Sequence, residues 1–253
     1  LGSAPAGIYV GTSGWYYDHW EGVLYPPKLP KHKRFGVYAE RYNAVEINAT
    51  YYRLPRPSTV EGWYGKAPRG FAYVAKASKQ ITHEQKLRGA EPQVKRLLDS
   101  LAGLREKLAC VLFQLPPSLH RDTALLGDFL ACLPARPAAA FEFRHASWEC
   151  DEVYETLAAG GASHVVVGRR KLPFADVHTA APAYYRLHGP EAVCSSSYTE
   201  EWLAAHARRL EILATRGMTS FTFFNNDIGG HAVRNADAVN ALLTEMRGRL
   251  QNG

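Results

Sequence analysis

Charged side chains break into several apolar runs of this 253-residue chain. In Val45-Glu46-Ile47-Asn48 the polar residues alternate with apolar ones. Phe141-Glu142-Phe143-Arg144 repeats the pattern, and Tyr184-Tyr185-Arg186-Leu187-His188 puts Arg186 and His188 on one face. Lys76, Gln114, Asn225 and Asp227 close other apolar runs. A charge inside an apolar run is costly unless it is paired or functional. Glu46 and Glu142 suit a general base and acid if their surroundings separate their pKa values. His188 suits a proton shuttle near neutral pH, and Asp227 is a fourth catalytic candidate. Arg144 and Arg186 are planar forks for phosphate or carboxylate. Lys76 can donate to an anion or form a Schiff base.

Each has a plainer counterpart. Glu46, Glu142, Arg144 and Arg186 also suit an ionic network that plugs a protein interior. Lys76 also reads as a snorkelling lysine, and His188 as a hydrogen-bonded structural residue.

A second candidate is Asn225-Asn226-Asp227-Ile228-Gly229-Gly230-His231. Its glycines let backbone N–H groups approach an anion, and a helix start beyond them adds a favourable dipole. An ordinary turn has the same composition. Trp15, Tyr51 and Trp148 are expected to line a pocket, where aromatic faces stack bases or sugars. Trp20 and Tyr52 are expected to anchor loops. Glu46, Glu142, His188 and Asp227 are ligand types for an oxygen-rich divalent site, but arginines on the same faces oppose a cation. The expectation is no structural zinc, with weak Mg2+ or Mn2+ binding left open and the metal ligands unknown.

These residues need elements that gather them. Short runs rich in β-branched and aromatic residues read as strands: 8–10, 44–47, 71–75, 110–115, 138–143, 164–167, 184–187 and 220–224. Between them lie amphipathic stripes. Val94, Leu97, Leu98, Leu101, Leu104 and Leu108 form one, Leu203 to Ala214 a second, and Val233 to Leu250 a third. Ser58 with Glu61 and Ser197 with Glu200 have capping-box spacing. Alternating strands and helices imply a parallel sheet, and eight strands in this length imply a TIM-like (β/α)8 barrel of the α/β class. Such a barrel gathers strand-end residues at its C-terminal rim. The stretch from Arg169 to Ala183, with Pro173 and Pro182, lacks helical periodicity, so the connection between the sixth and seventh strands is expected to be irregular. Residues 1–7 read as a flexible segment and 8–253 as one barrel domain.

Composition narrows the class. With 46% hydrophobic residues the chain can bury a large core, which excludes disorder. No run reaches the roughly 20 apolar residues of a membrane span, and no secretory signal is visible. The four cysteines are widely spaced, without the pairs of a zinc finger, and a reducing, cytoplasmic setting is the expectation. A formal charge of +6 favours anionic partners.

Six ordered motifs carry a resemblance. GTSGWYYDHWEGVLYPP at 11–27, VEINATYY at 45–52, LFQLPPS at 112–118, EFRHASW at 142–148, YYRLHG at 184–189 and FFNNDIGGHAVRNA at 223–236 resemble those of the YecE-like proteins, domain of unknown function seventy-two. Ala49 stands where that family often has Ser. The resemblance implies a TIM-barrel fold and no established activity. Its likeness to the barrels of endonuclease IV and xylose isomerase is analogy and transfers no catalytic residue.

Three functions follow as expectations. The first is an enzyme acting at the rim on a phosphate-bearing substrate, by phosphodiester hydrolysis of nucleic acid or nucleotides. The second is a sugar or sugar-phosphate isomerase or hydrolase using the paired glutamates. The third is a non-catalytic protein that binds an anion or nucleic acid. The partner is accordingly an anionic small molecule or nucleic acid, not a membrane. The oligomeric state is left open.

Overall fold

The computed structural model describes residues 7–168, 176–191 and 194–251. Eight parallel strands, β1 (Ile8–Thr12), β2 (Ala44–Ile47), β3 (Ala72–Lys76), β4 (Leu108–Gln114), β5 (Ala138–Glu142), β6 (Ser163–Gly168), β7 (Ala183–Leu187) and β8 (Ser220–Phe224), pair in the order β1-β8-β7-β6-β5-β4-β3-β2. This is the expected (β/α)8 barrel. The helices are α1 (Lys31–Arg41), α2 (Ala49–Tyr52), α3 (Pro57–Lys66), α4 (Glu91–Leu101), α5 (Thr123–Ala131), α6 (Asp151–Ala159), α7 (Glu200–Thr215) and α8 (His231–Gln251).

Alternation along the strands sorts side chains into two apolar layers. Val45, Ile47, Phe141, Phe143, Tyr185 and Leu187 pack outward against the helices. Inside the barrel, Ala44, Val74, Cys110, Leu112, Val165, Tyr184, Phe221 and Phe223 form a separate cluster. Cys110 is thus a buried apolar filler rather than a ligand, and none of the four cysteines forms a disulfide. The charged residues of β2, β5 and β7 point inward above this plug.

Closure between β1 and β2 uses side chains. Asn43 Oδ1 accepts from Val10 N at 3.0 Å, and Asn43 Nδ2 donates to the Ile8 carbonyl at 2.8 Å. The Tyr38 hydroxyl accepts from Thr12 N at 2.9 Å and donates to the Ala44 carbonyl at 3.0 Å. Past the end of β1, a direct backbone contact joins the chain to β2, where Gly14 N donates to the Glu46 carbonyl at 2.8 Å. Gly11 lies so close to β2 that a Cβ there would stand 2.1 Å from the Ala44 carbonyl oxygen. Only glycine fits.

Several local expectations are corrected. The stripe from Val94 does not remain helical to Leu108: α4 ends at Leu101, a 3-10 segment covers Ala102–Lys107 with Arg105 at φ +50°, and Leu108 opens β4. Similar leucine spacing on both sides of the kink disguises it. Neither capping box forms as read. Pro57 at the first position starts α3, with Arg56 preceding it. Thr199, not Ser197, caps α7 by accepting from Trp202 N. Among the described residues of the connection between β6 and β7, 176–182 hold no helix; Pro173 and the rest of 169–175 lie outside the described residues, as do 1–6 of the expected flexible segment. Gly7 already joins the sheet, its carbonyl accepting from Ser220 N at 2.9 Å. No helix of the described residues is long and apolar enough to cross a membrane.

Candidate functional site

The inward faces of β2, β5 and β7 converge on Arg186, which is 2% exposed. Its Nε donates to both Glu46 oxygens at 3.0 Å, Nη2 donates to Glu46 Oε1 at 2.9 Å, and Nη1 donates to Glu142 Oε2 at 3.0 Å. Glu46 also accepts from Ser13 Oγ at 2.7 Å and from the Tyr184 hydroxyl at 2.6 Å. Arg144 Nε contacts Glu142 Oε1. Two carboxylates are therefore neutralised by two guanidiniums in a region that water scarcely reaches.

This pairing sets the protonation states. Burial alone would raise the Glu46 pKa, but the charge and hydrogen bonds of Arg186, with Tyr184 and Ser13, hold it below its ordinary value. Burial opposes ionisation of Glu142 too, and Arg144 and Arg186 keep its pKa well below the usual carboxylate range. Neither side chain carries a proton to donate near neutral pH. The expected separation of the pair into acid and base is thus corrected, because one arginine serves both.

His188 is corrected similarly. Burial and the charge of Arg186 lower it to about 4, against the raising influence of Glu142, whose Oε1 lies 3.8 Å from Nε2. Its ring is neutral at pH 7. Arg144 Nη2 and Arg186 Nη1 lie 3.2 and 3.3 Å from Nε2, so the lone pair is on Nε2 and the proton on Nδ1. Asn225 Nδ2 is placed 2.9 Å from Nδ1, and with the proton on Nδ1 the amide turns over so that its oxygen accepts there. His188 is an acceptor for arginines rather than a shuttle near neutrality.

Lys76, at the C-terminal end of β3, stands apart. Its Nζ lies 4.3 Å from the Tyr51 ring centroid, and it has no carboxylate at salt-bridge distance among the described residues. Burial and the charge of Arg186, partly offset by the glutamates, lower its pKa to about 8. Gln114 is half-buried at the end of β4, level with Glu142 in the strand register. Asn48 is half-buried after β2, with a buried Oδ1 that lacks a hydrogen-bond partner.

Asp227 occupies the other side of the mouth. His19 Nε2 is 3.6 Å from its carboxylate and 2.8 Å from its carbonyl oxygen. Burial raises its pKa, against the lowering effects of its own backbone N–H and His19. Gly229 and Gly230 take φ of +68° and +74°, Gly230 N donates to the Asp227 carbonyl, and His231 opens α8. Arg234 Nη2 donates to the Gly229 carbonyl.

Three expected contact residues are structural. Trp15 is buried, packing edge-on to Phe35 and Trp63. Trp148 is buried, stacked on Phe143 at 4.7 Å, and donates to the Leu119 carbonyl at 2.7 Å. Asn226 is buried and donates to the Ser196 carbonyl and to Asn235 Oδ1. Aromatic or amide character in a loop does not reveal which way it points. Trp20 anchors its loop as expected, donating to the Asp227 carbonyl at 3.3 Å, but Tyr52 is 75% exposed and meets only the edge of its neighbour Tyr51 among the described ring contacts.

Sequence reasoning missed Ser13, Tyr184, His83 and Cys194. The alternation that selects Arg186 also selects Tyr184, and continuing inward from Tyr9 and Gly11 reaches Ser13. A hydroxyl in a strand lacks the signal of a misplaced charge. His83, in the turn Gln80–Glu84, contacts the Tyr51 ring at 5.2 Å between centroids, and no sequence signal marks it. Cys194, half-buried with φ +65°, donates its N–H to the His188 carbonyl at 2.7 Å. Among the described residues no three His, Cys, Asp or Glu side chains are grouped to hold a metal ion.

The family model "Protein of unknown function DUF72" matches residues 9–252. The chain belongs to the DUF72 family. This DUF72 chain is 27% identical to the UPF0759 protein YunF of Bacillus subtilis, over 93% of this chain and 94% of YunF. It is 28% identical to the UPF0759 protein YecE of Escherichia coli K12, over 69% of this chain and 62% of YecE. The crystal structure of a DUF72 family protein from Thermotoga maritima superposes with a TM-score of 0.85 at 29% identity, covering 94% of this chain and 99% of that one. The expected family and fold are thus established, and the family description assigns no activity.

Proposed function

We propose that this protein is an enzyme whose active site is the C-terminal mouth and whose substrate carries a phosphate group. The observation that carries the reading is the charge arrangement beside β3. Glu46 and Glu142 are already matched by Arg186 and Arg144, so the Lys76 ammonium adds an uncompensated positive charge to a partly desolvated site. A phosphate group supplies the missing negative charge, and Arg144, less deeply buried than Arg186, offers guanidinium N–H donors at the same mouth. Proton transfer falls to Asp227, the rim carboxylate not paired with an arginine among the described residues. Arg186, Glu46 and Glu142 hold the frame. Calorimetric titration with inorganic phosphate tests this reading. Saturable binding to the wild type, at least tenfold weaker in Lys76→Met, is expected. Equal affinity in both, or no binding to either, overturns it.

A second reading, a nucleic-acid strand as the phosphate bearer, is favoured by one feature. Tyr52 projects into solvent beside Tyr51, followed by exposed Arg53 and Arg56. Aromatic and basic groups so interleaved stack bases and hold phosphates. Oligonucleotide binding should then fall steeply with salt and weaken in Tyr52→Ala. Binding insensitive to both counts against it.

A further inference from the structure

The amine of Lys76 is placed for more than holding an anion. It stands at the end of a barrel strand, half-buried, packed over the Tyr51 ring and unpaired with any carboxylate among the described residues. Arg144 and Arg186 stand close enough to act on it electrostatically, and both are occupied with glutamates. Lysines that anchor have acceptors at hydrogen-bond distance: Asp18 for Lys31, Asp99 for Lys95, and the Tyr64 and Ala67 carbonyls for buried Lys107, which also lies over a tyrosine ring. A lysine kept for nucleophilic chemistry needs its lone pair, which desolvation and neighbouring cations favour.

We infer that Lys76 forms an imine with a phosphate-bearing aldehyde or ketone, such as an open-chain sugar phosphate, bound at the mouth. The inference rests on the reading of the mouth as a phosphate site and names the reactive group of its substrate. The Nζ lone pair attacks the carbonyl carbon, a C–N bond forms and the carbonyl π pair moves to oxygen. Two protons lost from nitrogen, exchanged through solvent, leave with that oxygen as water, giving C=N without any change of oxidation state. With a pKa of about 8, roughly one amine in ten is unprotonated at pH 7, far more than for a solvated lysine. Imine formation makes Lys76 a covalent participant, whereas Arg144 remains the phosphate contact.

Reductive trapping tests it. The full-length protein is incubated with glycolaldehyde phosphate, treated with sodium borohydride, and mapped by peptide mass spectrometry. The expected result is one dominant secondary-amine adduct on Lys76, suppressed by excess inorganic phosphate. Uncharged glycolaldehyde should give at least tenfold less adduct there. Lys76→Arg, folded by circular dichroism, should still bind inorganic phosphate and lose the adduct. If phosphate binds the wild type while Lys76 is labelled no more than exposed Lys33, the imine is overturned and the phosphate site stands. If phosphate does not bind and Lys76 is not labelled, both readings fall.

Discussion

Two arginines in this molecule each bridge two carboxylates, and their settings differ. Arg34 donates to Asp18 through Nη1 at 2.6 Å and to Glu21 through Nη2 at 3.0 Å, its guanidinium 5.2 Å from the Tyr25 ring. Its own side chain is buried, but Asp18 and Glu21 reach solvent. Arg186 bridges Glu46 and Glu142, which are wholly buried. Around Arg34 water can replace a lost partner of either carboxylate. Around Arg186 nothing can, because the apolar plug lies below and the packed outer layer surrounds the barrel. The first arrangement fastens the loop after β1 to α1. The second fixes the protonation states at the mouth. Identical pairings therefore carry unequal consequences, decided by the desolvation of the acids.

The largest effect should come from Arg186→Met, which strands two buried carboxylates. A loss of about 4 kcal/mol is expected from chemical denaturation. Glu46→Gln leaves Arg186 still paired with Glu142 and should cost clearly less. Equal costs would mean that the network does not depend on its central cation.

Acid sharpens the comparison. A folded His188 takes up its proton only near pH 4, whereas an unfolded histidine does so near 6.5. Between those values the unfolded chain binds more protons, so stability falls as pH drops through that window, by about 3 kcal/mol. His206, buried beside Thr222 and lowered to about 3, adds a loss of the same sign. Melting temperatures from pH 7 to 4 should decline, and the double variant His188→Asn with His206→Asn should flatten the decline. Contributions from Glu46 and Glu142 have their own window: they are complete above the ordinary carboxylate pKa and are lost only as pH falls through their depressed folded values. A slope unchanged in the double variant would assign the loss elsewhere.

Smaller effects belong to the loop. Arg34→Met removes two ion pairs and a cation-π contact, and about 1–2 kcal/mol is expected by denaturation. Asp18→Asn should barely move the melting temperature, since Asp18 is exposed. A loss in Arg34→Met matching that in Arg186→Met would erase the distinction between the two arginines.

The barrel was legible in the sequence because parallel strands write their two faces as a period of two. Glu46 beside Ile47, and Arg186 beside Leu187, declare an inward polar face by alternation alone. What those faces would do was less legible. Whether Glu142 is a proton donor depends on Arg144 and Arg186 each reaching one of its two oxygens, a distance that spacing along the chain does not encode. Loop aromatics were least legible. Trp15 and Trp148 have the composition of pocket walls but fill gaps between strands and helices, while Tyr52, expected to pack, faces water. No periodicity governs a loop, so side-chain direction there is set by tertiary packing alone.

The seam between β1 and β2 has a consequence for motion. A cylinder fastened beside Val10 and Thr12 by an amide and a phenol, with a backbone bond only nearer the mouth, has a natural place to loosen, since two side chains can swing aside there without breaking a ladder. Amide protons of Val10 and Thr12 should therefore exchange with deuterated solvent sooner than those inside β7, and forced extension should split the wall there first. The mouth end, tied by Gly14 N to the Glu46 carbonyl and by Ser13 Oγ to the Glu46 carboxylate, would part last, so a breathing wall need not open the site.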